Sequence, residues 1–275
     1  MGGSFALALR EAGYTGRIVG VSSEATIDRA LARGVIDEGL PGAEAASCAD
    51  LVFLAQPISV IIETIGAIAA RVPKHALVTD VGSTKSAIMA AGAQIAGGLF
   101  VGGHPMAGKE ARGLEAASAE LFRGRVWGLT PAHPGDLEQP QCREFLVWLE
   151  KIGAIPLILD AGEHDRIVAL TSHLPQLASS ALAATLAERT SGTSPVHGPG
   201  LEDMTRLALS SFEIWADILA TNPDNIASAL ETYIAVMETI RKNVVTSSYP
   251  DIRQIFERGS AFARSLRGPT NGEPA

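Results

Sequence analysis

The chain has 275 residues, 47% of them hydrophobic, with 22 Lys and Arg against 30 Asp and Glu, a net charge of -8 and a pI near 5.3. That length supplies one large hydrophobic core or two ordinary ones. The acidic balance, with no long basic run, argues against a nucleic-acid surface. Cys48 and Cys142 form no CxxC pair and no metal-ligand spacing, so a reduced, cytoplasmic setting without a metal is expected.

In chain order, MGGSFALALREAG opens with two glycines and a serine running into an apolar helix, the back half of a phosphate-binding turn. RIVGVS (17–22) reads as a strand and TIDRALARG (26–34) as a helix closed by its glycine. DLVFLAQP (50–57) reads as a fully buried strand, ISVIIETIGAIAARV as a helix and ALVTDVGS (76–83) as a strand. Next come a helix in KSAIMAAGAQIAG, a strand-to-loop LFVGGHP and a strand RVWGLTP (125–131). The helix CREFLVWLEKIG then leads to a last strand, AIPLILDA (154–161). This alternation predicts an α/β, Rossmann-like doubly wound parallel sheet over residues 1–160. The uncharged run from Ser86 to Gly108 is broken by six glycines and Pro105, so no membrane span is expected. Arg10 and Glu11 interrupt the N-terminal apolar run too early for a signal peptide.

Beyond Gly162 the strands stop and helical periodicity predicts an all-α domain over 161–275. HDRIVALTSHLPQLASSALAATLAER is helical with a kink or restart at Pro175, and TSGTSPVHGPG (190–200) is a loop. Asn222 and Pro223 start a helix whose Ile226, Leu230, Tyr233, Ile234, Met237, Ile240 and Val244 share one face. A last helix from Asp251 repeats the pattern with Ile252, Ile255, Phe256, Phe262 and Leu266, and the tail GPTNGEPA is expected to be disordered. Two such faces suit a dimer interface as well as a core.

Several residues fall where open α/β sheets bind ligands, at the carboxyl ends of strands. Gly2 and Gly3 can bring backbone N–H groups to a pyrophosphate, and Gln56 and Pro57 end the next strand at the same edge. Ser22 and Ser23 stand where a dinucleotide fold reads its ribose, followed by Glu24, which disfavours a 2′-phosphate; the lean is to NAD, with NADP left open. DVGSTKS (80–86) and GGHPMAGKEARG (102–113) bring Ser83 and His104 toward one crevice, where an imidazole beside a hydroxyl suits proton removal from an alcohol. Arg206 follows Asp203 by three residues, which fits a surface pair or, alternatively, a guanidinium clamp on a substrate carboxylate.

MGGSFALAL, DVGSTK, HPMAGKEARG, the doublet His164–Asp165, SHLPQ (172–176) and DMTRLALSSFEIWADILATN together resemble, in order and over nearly the whole chain, the prephenate/arogenate dehydrogenase family. The resemblance implies a dinucleotide-binding domain followed by a helical dimerisation and substrate domain, hence a homodimer. It implies oxidative decarboxylation of prephenate to 4-hydroxyphenylpyruvate with hydride transfer to NAD, a step toward tyrosine. Carried over, His104 is the imidazole that takes the ring hydroxyl proton, Ser83 hydrogen-bonds in the same network near the nicotinamide, and Arg206 holds a substrate carboxylate. Glu110, His164, His173 and Trp215 match positions that line or order the family's pocket.

Many members carry SHLPH where this chain has Gln176, a position close to the substrate side chain, so the choice between prephenate and arogenate stays open. Arogenate or dual-specificity cyclohexadienyl dehydrogenase is therefore the alternative activity, and a non-catalytic dimeric fragment with a broken cofactor site is the non-enzymatic one. A β-hydroxyacid-type dehydrogenase would want a catalytic lysine in the helical half, which offers only Lys242. No regulatory or mutase domain is visible in the sequence. The family's turn reads roughly G-x-G-x-x-G-G after an apolar strand. Met1-Gly2-Gly3 fits its end, so the first strand and first two glycines are expected to be missing.

Overall fold

A computed structural model describes residues 1–108, 113–189 and 196–267. Helix α1 (Gly2–Glu11) leads to strand β1 (Val19–Gly20), α2 (Glu24–Ala32), β2 (Glu38–Gly39), α3 (Gly42–Ser47), β3 (Leu51–Leu54) and α4 (Ile58–Ile68). There follow β4 (Leu77–Asp80), α5 (Ser86–Gly92), β5 (Leu99–Pro105), β6 (Val126–Pro131), α6 (Pro140–Lys151) and β7 (Ile155–Ile158). The rest is helical: α7 (Ala161–Val168), α8 (Leu174–Arg189), α9 (Pro199–Thr205), α10 (Phe212–Thr221), α11 (Pro223–Val245) and α12 (Pro250–Arg267). None of the described helices is long and apolar enough to cross a membrane.

The Rossmann-like reading holds, with two departures from one continuous parallel sheet. Strands β3-β4-β5-β6-β7 form one five-stranded sheet, and β1 pairs in parallel with β2 in a separate two-stranded one. Between them lies a cavity of about 1020 Å³, lined among others by Val19, Gly20, Ile27, Val52, Phe53 and Phe145. That cavity explains why DLVFLAQP is not the fully buried strand expected: of β3 only Leu54 is buried, and Leu51, Val52 and Phe53 are half-buried. It also explains the brevity of β1, which has a hydrogen-bonding partner on one edge alone.

The second departure is the antiparallel pairing of β5 with β6, while β3-β4-β5 and β6-β7 are parallel. A parallel return needs a crossover, usually a helix. Between β5 and β6 the described residues supply only short 3-10 turns, Leu114–Ala116 and Ala119–Phe122, so the chain comes back antiparallel.

β4, an interior strand between β3 and β5, is buried at all four positions, Leu77 to Asp80. Below it, Phe5 of α1 packs with Trp127, Phe122 and Phe145, and stacks on Phe53 at 4.2 Å between ring centroids. Aromatic packing thus holds α1 against the sheet, with the start of α1 at the carboxyl end of β3, where a Cβ on Gly2 would lie 3.5 Å from Ala55 Cβ.

The predicted restart at Pro175 takes a specific form. Helix α7 runs through a π-helical turn, Ala169–His173, straight into α8, so the wider turn sits just ahead of a residue that lacks an N–H. The chain divides into two compact units, Met1–Pro223 and the helical remainder from Asp224. The sheet-to-helix change that set the expected boundary at 160 falls inside the first of them.

Candidate active site

The site grows from the end of β4. The Asp80 carboxylate accepts hydrogen bonds from Gly82 N at 2.7 Å and Gly103 N at 3.0 Å, and pairs with the Lys85 ammonium. Lys85 also donates to the Gly103 carbonyl at 2.6 Å, and both charged side chains are completely buried. Burial pushes Lys85 below its ordinary pKa against the pull of Asp80. These contacts need the glycines of GGHP. A Cβ on Gly103 would sit 2.4 Å from the Asp80 carbonyl oxygen, and one on Gly102 2.4 Å from Thr130 Oγ1. The two glycines let β5 lie close against the β4 end, and His104 follows at a fixed position.

Half-buried His104 meets a second histidine. Its Nδ1 lies 2.9 Å from His164 Nε2, and His164 Nδ1 lies 2.9 Å from Asp165 Oδ1. Gly128, opposite His104 on β6, leaves room for this: a Cβ there would touch His164 Cδ2 at 3.5 Å. Asp165 accepts from Lys85 N at 2.6 Å and Ser86 N at 2.8 Å at the start of α5. The Asn222 amide donates to the Asp165 carbonyl at 2.8 Å, and Thr84 and Thr221 share a hydroxyl contact of 2.7 Å. Ser59 N, in the first turn of α4, donates to Asp217 at 2.9 Å, so α10 is tied to α4 as well as to the β4–α5 turn that also holds α7.

The electrostatics follow from this burial. Desolvation first, then the neighbouring Lys85 charge and the two other histidines, hold His104 well below the ordinary imidazole range. Burial alone would raise the Asp165 carboxyl. The His164 hydrogen bond and those from Ser86 and Lys85 outweigh it and hold the group below its usual value. His104 is therefore neutral and Asp165 ionised at neutral pH.

The other expected site residues stand as follows. His173, on the π-helical turn, is 1% exposed, and neither ring nitrogen has a hydrogen-bond partner among the described residues. Desolvation pushes it down to about 4, and Trp215 meets it edge-to-face at 5.8 Å. Trp215 itself donates to Ser210 Oγ at 3.0 Å. Gln176 is buried, its amide nitrogen donating to Leu207 O at 2.8 Å and Ser180 Oγ at 3.2 Å. Arg206 opens the 3-10 turn that contains this Leu207 carbonyl and is itself exposed. Ser83 is half-buried in the turn between β4 and α5. Glu110 lies outside the described residues.

At the cofactor edge, Gly2 and Gly3 form the first turn of α1, which holds no acidic residue. Gly3 is tightly packed, a Cβ there falling 3.0 Å from Leu114 Cδ1. Gln56 follows β3, with Oε1 buried and without a partner among the described residues, while its amide donates to Thr64 Oγ1 at 3.3 Å. Pro57 caps α4, Ser22 lines the large cavity, and Ser23 precedes α2 with its hydroxyl 3.0 Å from that of Thr26.

Residues 5–155 match the family model for the prephenate dehydrogenase nucleotide-binding domain, and residues 160–258 that for the prephenate dehydrogenase dimerization domain. The chain belongs to the prephenate dehydrogenase family. A prephenate dehydrogenase of Lactococcus lactis subsp. cremoris is 32% identical over 277 residues, covering 97% of this chain and 75% of the relative. The family fold extends to a crystal structure of prephenate dehydrogenase from A. aeolicus in complex with hydroxyphenyl propionate and NAD+. It superposes with a TM-score of 0.85 at 27% identity, over 96% of this chain and 94% of that one. Synechocystis arogenate dehydrogenase reaches 0.82 at 27% identity, over 95% and 94%. Family membership makes the chain a dehydrogenase with a dimerization domain in its helical half.

Asp80, Lys85 and Asp165 received no role from the sequence. Asp80 and Lys85 lie in DVGSTK and Asp165 in the His-Asp doublet. A signal was therefore present, but only the folded chain shows that the three converge behind His104.

Proposed function

We propose that this chain catalyses the NAD-dependent oxidative decarboxylation of prephenate to 4-hydroxyphenylpyruvate as a cytoplasmic homodimer. The observation that carries the reading is His104 itself: a neutral imidazole, fixed at the carboxyl end of β5, with one ring nitrogen engaged by His164. A general base needs that protonation state at working pH and that immobility.

His104 Nε2 takes the proton of the ring hydroxyl, and the Ser83 hydroxyl hydrogen-bonds the same oxygen. Arg206 clamps a substrate carboxylate with its guanidinium fork. His173, whose two ring nitrogens have no hydrogen-bond partner among the described residues, and Trp215, which meets it edge-to-face, supply a wall beside Gln176, and the family motif adds Glu110 to the same set. Loss of the ring carboxylate as carbon dioxide, followed by aromatisation, makes the step irreversible.

The residues at the cofactor edge fit a dinucleotide. The free N–H groups in the first turn of α1 suit its pyrophosphate, and the buried Oε1 of Gln56 is an acceptor awaiting a donor. Ser22 and Ser23 stand on the ribose side, Glu24 beside them weighs toward NAD, and Pro57 borders the same edge. NAD, when bound, supplies the acceptor for the hydride that leaves the substrate carbon. Two unpaired cysteines, Cys48 and Cys142, agree with a reducing compartment.

A dual prephenate and arogenate specificity is the second reading, favoured by Gln176. Its amide reaches into the turn that carries Arg206, and it replaces a titratable ring common in the family. Assay of both substrates with NAD and NADP decides. Formation of 4-hydroxyphenylpyruvate with NAD at the higher kcat/KM is the expected result, comparable kcat/KM for arogenate would establish the second reading, and turnover of neither would overturn both.

A further inference from the structure

We propose that Asp165 and His164 act as positioning residues that fix the tautomer of His104, leaving its basic lone pair on Nε2. The proposal rests on His104 being the base, and its test below does not depend on turnover. The geometry is a chain of three groups, half-buried His104 and buried His164 and Asp165, with His104 Nδ1 to His164 Nε2 at 2.9 Å and His164 Nδ1 to Asp165 Oδ1 at 2.9 Å.

The direction of each hydrogen bond follows from the end of the chain. Asp165 accepts two backbone N–H bonds, from Lys85 and Ser86, and an ionised carboxylate can only accept. His164 Nδ1 must then carry a proton and donate it. A neutral His164 has its lone pair on Nε2, which obliges His104 Nδ1 to donate in turn. A neutral His104 that donates from Nδ1 has its only free lone pair on Nε2. Both links are shorter than 3.0 Å and therefore ordinary strong hydrogen bonds.

The opposite polarity would require an imidazolium at His164, where the side chain is 2% exposed. It would also put the His104 proton on Nε2, where no lone pair would be left for the substrate. Charge burial of that kind is costly, and the neutral arrangement satisfies the same hydrogen bonds without it. Among the described residues, Lys85, Asp80 and His173 are the other titratable groups packed around this chain, and none of their side chains bonds to either histidine. When His104 takes a proton at Nε2, its Nδ1–H still points at His164, so the new positive charge lies at the end of a hydrogen-bonded line to the Asp165 carboxylate. The arrangement does for His104 what an orienting carboxylate does for a catalytic histidine elsewhere, with one imidazole interposed.

The direct test is a ¹⁵N long-range correlation spectrum of the histidines in the full chain, wild type beside Asp165→Asn and His164→Phe. The wild type should show His104 protonated at Nδ1 and His164 protonated at Nδ1 alone. Both variants should release His104 to a mixture of tautomers or to Nε2–H. If the wild type turns over prephenate, kcat should fall on the order of 10²–10⁴-fold in both variants, with KM and NAD affinity changing less than threefold. His164→Phe keeps an apolar ring in the buried position, so it remains informative if Asp165→Asn fails to fold. His104 protonated at Nε2 in the wild type would overturn the proposal. So would an unchanged His104 tautomer in whichever variants fold. A wild type inactive on prephenate would sink the functional reading alone, and the tautomer spectra would still decide this one.

Discussion

The roles proposed for His104, the base, and Arg206, the carboxylate clamp, are separable by mutation. His104→Asn removes the base while keeping a polar side chain beside Gly103 and His164. Turnover should fall on the order of 10²–10⁴-fold, with dinucleotide affinity nearly unchanged. A loss below tenfold in kcat would remove His104 from the role. Arg206→Ala should act mainly on KM for prephenate, because a hydrogen bond to a charged group is worth roughly 1.5–3 kcal/mol, about tenfold or more in binding. An unchanged KM would return Arg206 to a surface role, the reading its spacing from Asp203 also allows. The sequence singles out His104 and Arg206 because each stands in a motif with its own chemical rationale. Asp165 is not singled out, since its importance is a matter of distance to residues about 80 and 60 positions away.

At the scale of elements, the turn between β4 and α5 depends on a buried ion pair that a single change would break. Lys85→Met leaves the Asp80 carboxylate in a fully buried place with two backbone N–H partners and no countercharge. Removing one member of a buried pair costs about 3–5 kcal/mol, and adding Asp80→Asn should recover part of it. Urea midpoints of the single and double variants check this, and a single variant within 1 kcal/mol (roughly the worth of an exposed pair) would contradict it. The π-helical turn makes a second prediction through His173. Its folded value of about 4 lies below the ordinary 6.5, so between those values the unfolded chain binds a proton that the folded chain does not. Stability is therefore complete above 6.5 and is lost as pH falls toward 4, by at most about 3 kcal/mol from this group. His173→Phe should flatten the fall in denaturant midpoint between pH 7 and 5 relative to wild type. An equal slope in both proteins would exclude His173 as its source. Element types were readable because apolar period and strand length are local, whereas the antiparallel β6 and the π-helical turn depend on connections and on Pro175.

At the scale of the molecule, the order of a sheet domain followed by a helical one was legible from the change of periodicity along the chain. The two-sheet split was not, because it depends on which strand edges pair and which are left facing a cavity. The helical remainder carries the last prediction. Tyr233, Ile234, Met237 and Val244 of α11 are 38%, 52%, 47% and 55% exposed, and Phe256, Phe262 and Leu266 of α12 are 68%, 62% and 71% exposed. Large apolar side chains recurring at helical spacing on an exposed face mark an interaction surface, and these lie largely in a dimerization domain. Burying such side chains yields roughly 1.5–3 kcal/mol each, which must exceed an association cost of about 4–15 kcal/mol. Several residues must therefore act together, and no single one is decisive. Ile234→Glu combined with Phe256→Glu replaces two of these contributions by charges that require desolvation, and should weaken dimerisation by about 4 kcal/mol or more, roughly a thousandfold in Kd. Sedimentation velocity across a micromolar dilution series should show wild type as a dimer and the double variant as a folded monomer with unchanged far-ultraviolet dichroism. A double variant that stays dimeric at the same dilution would place the interface on other residues of the helical half.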